Sequence, residues 1–284
     1  MENDTSKETV AYQGVPGAYS SIAVREYFPG LSAEGFPTFD EVIGALKQGA
    51  VRYAMLPIEN STSGRVADIH HLLPKSGLHI IGEYFLPIRH ALIGHTSATL
   101  ESVRRVYSHR EALSQCRTFI REHNLESVPF GDTAGAVKYV SEEKKADNAA
   151  IASREAADLY ENTHVLSENI QTNDDNVTRF LVLQKEKPET IPENGSITSL
   201  VYGVRDIPAA LYHSLGCFAR ADTNIIKLES FVPMTKHTDA HFYLEFEGNP
   251  EFSPCKEALS ELLEYTKDLE VLGTYEKSPY RERF

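Results

Sequence analysis

Residues 9–20, TVAYQGVPGAYS, read as a strand that passes through two glycines into a helix. Valine, threonine and tyrosine suit a pleated, half-buried backbone. Consecutive N–H groups and Ser20 at such a helix start offer an anion site, although a tight turn with a capping serine has the same pattern. The unit recurs downstream. Thr38-Phe39-Asp40-Glu41 has capping-box spacing, and the helix behind it sets Phe39, Val42, Ile43 and Leu46 on one face. Tyr53–Ile58 reads as a buried strand, Gly64–Leu73 as a helix stopped by Pro74, and His79–Ile88 as strand. Val103–Tyr107 is a short strand, followed by one helix carrying Ala112, Leu113, Cys116, Phe119 and Ile120. A helix from Thr133 turns Ala136, Val137 and Val140 inward. Ala149–Ala152 is a strand, Ser153 is placed to cap the next helix, and Val177–Leu183 is the last strand of this half. Repeated βα units predict α/β lobes with mostly parallel sheets. Ligands in such folds sit beyond the carboxyl ends of strands.

Residues 184–195, QKEKPETIPENG, are polar and proline-bearing, and read as a linker. The remainder has the order β-α-β-β-α-β: strand Ser196–Val204, helix Pro208–Ala221, strands Ile225–Val232 and Ala240–Glu247, a helix opened by Ser253-Pro254, and strand Val271–Tyr275. That order is ferredoxin-like. Its sheet is expected to leave one face and its edges open to pairing, so a homodimer or homotetramer is expected.

Bulk properties narrow the classes. The 284 residues, 41% hydrophobic and 24% charged, allow a sizeable core. The net charge of -13 argues against nucleic acid. An anion site must then be locally positive, from Arg, Lys or backbone N–H groups. Three widely spaced cysteines form neither a zinc pattern nor a disulfide framework. The start, MENDTSKET, has no apolar signal region, and no stretch approaches the roughly 18 apolar residues of a membrane span. A cytoplasmic protein without a membrane partner is expected.

Five polar clusters fall where strands meet helices or end. The first is the opening quoted above. Pro57-Ile58-Glu59-Asn60-Ser61-Thr62-Ser63-Gly64 sets a carboxamide and three hydroxyls after a buried strand, more than one helix cap requires. Ser108-His109-Arg110-Glu111 leads into a helix bearing Gln115. Here His109 reads as a solvated or capping residue and Cys116 as core. Gly131-Asp132-Thr133 reads as a turn with a cap. In Asn176-Val177-Thr178-Arg179-Phe180, alternation sends Thr178 and Phe180 to one face and Arg179 to the other. No nucleophilic triad, metal signature or phosphate loop is present.

Taken together, YQGVPGAYS, PIENSTSGRVADIHHLLP, SHREALSQC, GDTAGA, AAIAS and NVTRF, in that order, resemble the prephenate dehydratases over nearly the whole chain. The resemblance implies a two-lobed catalytic domain, like periplasmic binding proteins, over residues 1–190. One lobe takes about 8–85 and 165–188, the other about 86–164. It implies loss of water and carbon dioxide from prephenate, without cofactor or metal. Thr178 would hydrogen-bond or protonate the leaving hydroxyl, and Arg179 would support the anionic substrate or the catalytic strand. Asn60, Ser61, Thr62, Ser108, Gln115, Asp132, Thr133 and Phe180 would line the substrate cleft. Residues 191–284 resemble an ACT regulatory domain, in which free L-phenylalanine binds at a subunit interface. Ala209, Ala210 and Leu211 stand where that family reads Gly-Ala-Leu, and Glu229 and Ser230 open what it reads as Glu-Ser-Arg-Pro. Here the sequence has an alanine for the glycine and Phe231 for the arginine. Rival readings are an arogenate dehydratase, a catalytically silent binding or sensor protein, and a regulatory subunit.

Overall fold

The computed structural model describes residues 8–65, 71–232 and 240–283 and assembles them on three sheets. The first runs, in spatial order, Ser32–Phe36, Thr9–Gln13, Tyr53–Asn60, Val177–Gln184 and His79–Pro87, with the short Gly64–Arg65 paired to Tyr53–Asn60. The second runs Thr163–Ser167, Ala91–His95, Asn148–Ala152, Arg105–Ser108 and Glu126–Pro129. The chain leaves the first sheet after Pro87, enters the second at Ala91, and returns between Ser167 and Val177. The return therefore falls a few residues later than the position near 165 read from the sequence.

The expectation of mostly parallel sheets needs correction. Each of these two sheets has a parallel trio of strands, but the strand entering each lobe after a crossing runs antiparallel to its neighbours. Four strands carried no readable signal. Ser32–Phe36 is mostly exposed, and Glu126–Pro129 and Thr163–Ser167 are never fully buried, so apolar alternation is weak there. Ala91–Gly94 is buried without a break, so it shows no alternation.

The helix read over Gly64–Leu73 begins instead with the strand pair Gly64–Arg65, and residues 66–70 lie outside the described part. The single helix read around Cys116 is two, Arg110–Gln115 and Arg117–Glu122, broken at Cys116. The caps hold as read. Thr38 accepts the Glu41 amide at 3.2 Å and Ser153 accepts the Ala156 amide at 3.2 Å. No helix of the described part is long and apolar enough to cross a membrane.

The third sheet orders its strands Ile225–Phe231, His241–Glu247, Ser196–Val204 and Thr266–Glu276, all antiparallel, which is the ferredoxin-like arrangement. Its faces are separated by the alternation of His241–Glu247. Phe242, Leu244 and Phe246 pack on the domain's own helices, beside Cys217 and Phe218. Tyr243 and Glu245 turn the other way. There Tyr243, Leu272 and Tyr275 join one core with Ile80, Leu181 and Leu183 of the first sheet. The face expected to be open for pairing is thus covered by the first lobe. The approach is close: a Cβ on Gly273 would stand 2.1 Å from the Ile80 carbonyl oxygen. Only glycine permits that contact between backbones.

Candidate active site

A cleft of about 370 Å³ opens between the two lobes. The first lobe contributes Gly14, Ala18, Tyr19, Ser20, Pro57, Asn60, Ser63, Thr178 and Phe180. The second contributes His109, Glu111, Ala112, Gln115, Asp132 and Thr133, and Ile88 and His90 come from the crossing between them. Ser153 ties the lobes, its hydroxyl donating to the Gly17 carbonyl at 2.8 Å.

Thr178 and Asn60 are paired across adjacent antiparallel strands. Asn60 is the centre of the site's hydrogen bonding. Its Oδ1 accepts the backbone amides of Thr62 and Ser63 at 2.9 and 3.0 Å and the Ser63 hydroxyl at 2.9 Å. Backbone N–H groups only donate, so this end of the amide must be oxygen. Its Nδ2 therefore donates, to Asn176 Oδ1 at 2.8 Å and to Thr178 Oγ1 at 2.9 Å. The threonine oxygen is an acceptor in that bond. Its own hydrogen is left for another partner, on the face of the strand that also carries Phe180 into the cleft wall.

Gln115 is reached from both crossings. Its Oε1 accepts Asn176 Nδ2 at 2.9 Å and lies 2.8 Å from His90 Nε2, while its Nε2 donates to Glu111 Oε1 at 3.2 Å. Asp132 caps its helix by accepting the Gly135 amide at 2.6 Å and, with Thr133, lines the cleft.

Four expected site residues are placed elsewhere. Ser61 accepts the Val177 amide at 2.9 Å and donates to the Asp175 carbonyl at 3.0 Å. Thr62 spends its hydroxyl on Asn176 Oδ1 at 3.2 Å. Both hold the loop that carries Asn60 and are not in the cleft wall. Ser108 is fully buried, and its hydroxyl donates to the Ile151 carbonyl at 2.5 Å. Arg179 lies on the opposite face of the sheet, as alternation requires. Its guanidinium meets Glu83 at 2.8 Å, Glu245 through two bonds at 2.9 Å, and Tyr275 at 3.0 Å. It supports the strand and makes no contact with the cleft.

Among the described residues of the cleft wall there is no lysine or arginine. The anion-holding groups are then histidines, hydroxyls and helix N-termini. Helix Tyr19–Tyr27 starts at Ala18 with no side-chain cap and no acidic residue in its first turn. Its first amides are free of the competition that a capping carboxylate would supply.

The sequence reading did not single out His90, Tyr19, Asn176, Ser63 or Glu111. His90 is 2% exposed and bonded on both ring nitrogens. Burial pulls its imidazole below the ordinary histidine range, and the Gln115 bond partly opposes this. Asn176 is legible in hindsight, two residues before Thr178 and so on the same strand face. No local signal marks His90.

Comparison with known proteins follows this geometry. The family model described as prephenate dehydratase matches residues 10–188. A bifunctional N-acyl-homoserine lactone acylase/prephenate dehydratase of Komagataeibacter europaeus is 39% identical over 96% of this chain and 98% of its own. Arogenate dehydratase/prephenate dehydratase 2 of Arabidopsis thaliana is 37% identical over 95% of this chain and 73% of its own. A solved prephenate dehydratase of Arthrobacter aurescens, in complex with L-Phe, has a TM-score of 0.86 at 28% identity, covering 95% of this chain and 90% of that one.

Proposed function

The chain belongs to the prephenate dehydratase family, and from that premise we propose that it converts prephenate to phenylpyruvate with loss of water and carbon dioxide. The observation that carries this reading is the Asn60–Thr178 bond, which leaves the threonine hydrogen for the departing hydroxyl. Expelling hydroxide needs a proton while the ring carboxylate leaves as carbon dioxide, and aromatisation drives both. An alcohol is a weak acid, so Thr178 polarises the breaking bond or relays a proton. Such assistance typically supplies about 10²–10⁴ in rate. Orientation between the lobes supplies much of the rest.

The wall's composition suits the carboxylate that leaves. A strong cation held against it would stabilise the ground state, in which it is charged, more than the transition state. Ile88, Pro57, Ala112 and Phe180 surround the cleft with apolar surface instead. The other carboxylate is matched by the uncapped helix N-terminus at Tyr19 and Ser20.

A second reading has its own observation. Glu111 and Asp132 bring two carboxyl groups to the cleft wall, which favours an ammonium group on the substrate. Arogenate, the amino analogue, carries one, and one curated relative bears both substrate names. The test is product formation from each compound by purified protein, beside a Thr178→Val control. Turnover of prephenate lost in the control supports the first reading, turnover of arogenate alone selects the second, and turnover of neither overturns both.

We also infer feedback by phenylalanine through the third domain, at Ala209, Ala210, Leu211, Glu229 and Ser230. Arg65, next to the Asn60 loop, donates to the Ser230 carbonyl at 3.2 Å and lies 3.7 Å from Glu229, which supports a route from effector to cleft. Absence of both binding heat and inhibition at millimolar phenylalanine would sink this. The accompanying homodimer or homotetramer is read onto the same domain, where Ile207, Tyr212 and Leu263 are exposed apolar residues. Sedimentation that finds only monomers refutes it.

A further inference from the structure

The dehydration as described leaves one buried titratable group of the cleft without a task. His90 sits in the crossing segment, with its ring in the cleft wall. Its hydrogens can be placed by following donors that have no freedom. The amides of Thr62 and Ser63 fix Asn60 Oδ1 as acceptor. Asn60 Nδ2 then fixes Asn176 Oδ1 as acceptor, and Asn176 Nδ2 fixes Gln115 Oε1. His90 Nε2, 2.8 Å from that same oxygen, must carry a hydrogen.

Nδ1 is the position that can change. It lies 2.7 Å from the Tyr19 hydroxyl, which itself lies 2.7 Å from the Arg89 carbonyl. One phenolic hydrogen faces two acceptors. Donated to Nδ1, it leaves the ring neutral. Turned to the Arg89 carbonyl, it exposes the phenolic oxygen as acceptor for an Nδ1–H, and the ring becomes a fully bonded imidazolium. A hydroxyl rotation is the whole structural difference between the states.

The occupant of the cleft decides between them. Glu111, reached through Gln115, and Asp132 and His109 share the cleft wall. Arg89 is held by Asp174 at 2.8 Å, and Glu155 bears on Tyr19. In the empty cleft, burial favours the neutral ring. Substrate adds two carboxylates to a wall with no lysine or arginine among its described residues. An opposite charge within about 4–6 Å typically raises a histidine by about one to three pH units.

We propose that His90 takes up a proton from solvent at Nδ1 when a substrate bearing two carboxylates binds, and so becomes the cation of the cleft. The proton stays on the ring while the anion is bound and returns to solvent on release. The inference rests on the dehydratase reading of this cleft.

The test uses Thr178→Val protein, which is expected to bind prephenate and to turn it over on the order of 10²–10⁴ more slowly. Calorimetric titration at about pH 7, in buffers of different ionisation heat, counts the protons taken up. Net uptake of a substantial fraction of a proton per site is expected, falling severalfold when His90→Gln or Tyr19→Phe is added. Nitrogen-15 NMR of the labelled His90 ring is expected to show Nδ1 passing from acceptor to protonated on saturation, and it needs no change at His90. No uptake on binding, uptake undiminished in His90→Gln, or an unchanged Nδ1 signal overturns the proposal. Wild-type protein that turns over neither prephenate nor arogenate overturns the underlying reading instead.

Discussion

Thr178 and Arg179 are consecutive residues whose side chains end in different compartments. The threonine oxygen is bonded to Asn60 at the inter-lobe cleft, and the guanidinium is bonded to Glu245 of the third sheet. One strand thus carries the cleft threonine on one face and an interdomain ion cluster on the other.

The alcohol is tested by size and polarity. Thr178→Ser keeps a hydroxyl and is expected to retain part of the activity. Thr178→Val keeps the shape and is expected to lose on the order of 10²–10⁴ in kcat. Circular dichroism should be unchanged in both. Equal activity of the two proteins removes the role given to Thr178.

Hydrogen-bond direction at Asn60 makes a sharper prediction. Asn60→Asp is nearly isosteric but cannot donate. Thr178 would then give its hydrogen to the aspartate, and Asn176 Oδ1 would face another oxygen. Activity should fall about as far as in Thr178→Val, with KM changed less than kcat. An Asn60→Asp enzyme with wild-type kcat contradicts the polarity deduced for the network.

The ion cluster behind the strand is a matter of stability. Arg179, Glu83 and Glu245 are almost completely buried, and Arg281 reaches both carboxylates, at 2.8 Å and 3.5 Å. Glu59 also lies 3.2 Å from Arg179, so two guanidinium groups face three carboxylates. Burial alone pushes the Glu245 carboxyl up, but the Arg179 guanidinium beside it holds it below the usual carboxylate range. A carboxyl depressed by folding stabilises above its unfolded pKa, and that contribution is lost as pH falls through the lower folded value. Glu245→Gln is expected to cost on the order of 3–5 kcal/mol in denaturant unfolding, because it leaves Arg179 buried and short of charge. It should also flatten the acid limb of stability below about pH 4. A loss under about 1 kcal/mol would assign the cluster no such weight.

His90 has the same sign for a different reason. Burial disfavours the charged ring and holds it below the ordinary histidine range. Ligand-free protein should therefore lose stability as pH falls through and below about 6.5. Thermal melts across pH 5–8 are expected to show that slope in wild type and a reduced one in His90→Gln.

Ala209 precedes the helix Ala210–Arg220 with φ +61, a left-handed backbone that suits glycine. Ala209→Gly is expected to stabilise by about 1 kcal/mol. Gly273→Ala should do the reverse and loosen the docking of the third sheet, seen as a lower Tm and faster amide exchange in His79–Pro87. A Gly273→Ala protein as stable as wild type would mean the Ile80 backbone yields easily.

How far the sequence could be read depended on the kind of information each feature needs. Period-two alternation was enough to send Thr178 and Arg179 apart, and Thr38 and Ser153 announced their caps because capping is local. Strand Ser32–Phe36 was silent because it lies exposed at a sheet edge. Ser61, Thr62 and Ser108 were misassigned for a shared reason. A hydroxyl in a motif looks available, but whether its hydrogen is already spent on a nearby carbonyl is settled only by the folded backbone. His90 needed more still, since its partners Tyr19, Gln115 and Gln171 lie 71, 25 and 81 residues away.

The close seat of the third sheet on His79–Pro87 bears on how such proteins can exchange parts. Residues 184–195 look like a seam where one C-terminal half could be traded for another. The seam is chemical as well as covalent, however. An N-terminal half that arrives without Glu245 leaves Arg179, still paired with Glu83, short of its second buried carboxylate, and an incoming half with any side chain in place of Gly273 meets the Ile80 backbone. Recombination between relatives should therefore succeed only when Arg179, Glu245 and Gly273 travel as a set, although the linker between them tolerates almost any sequence.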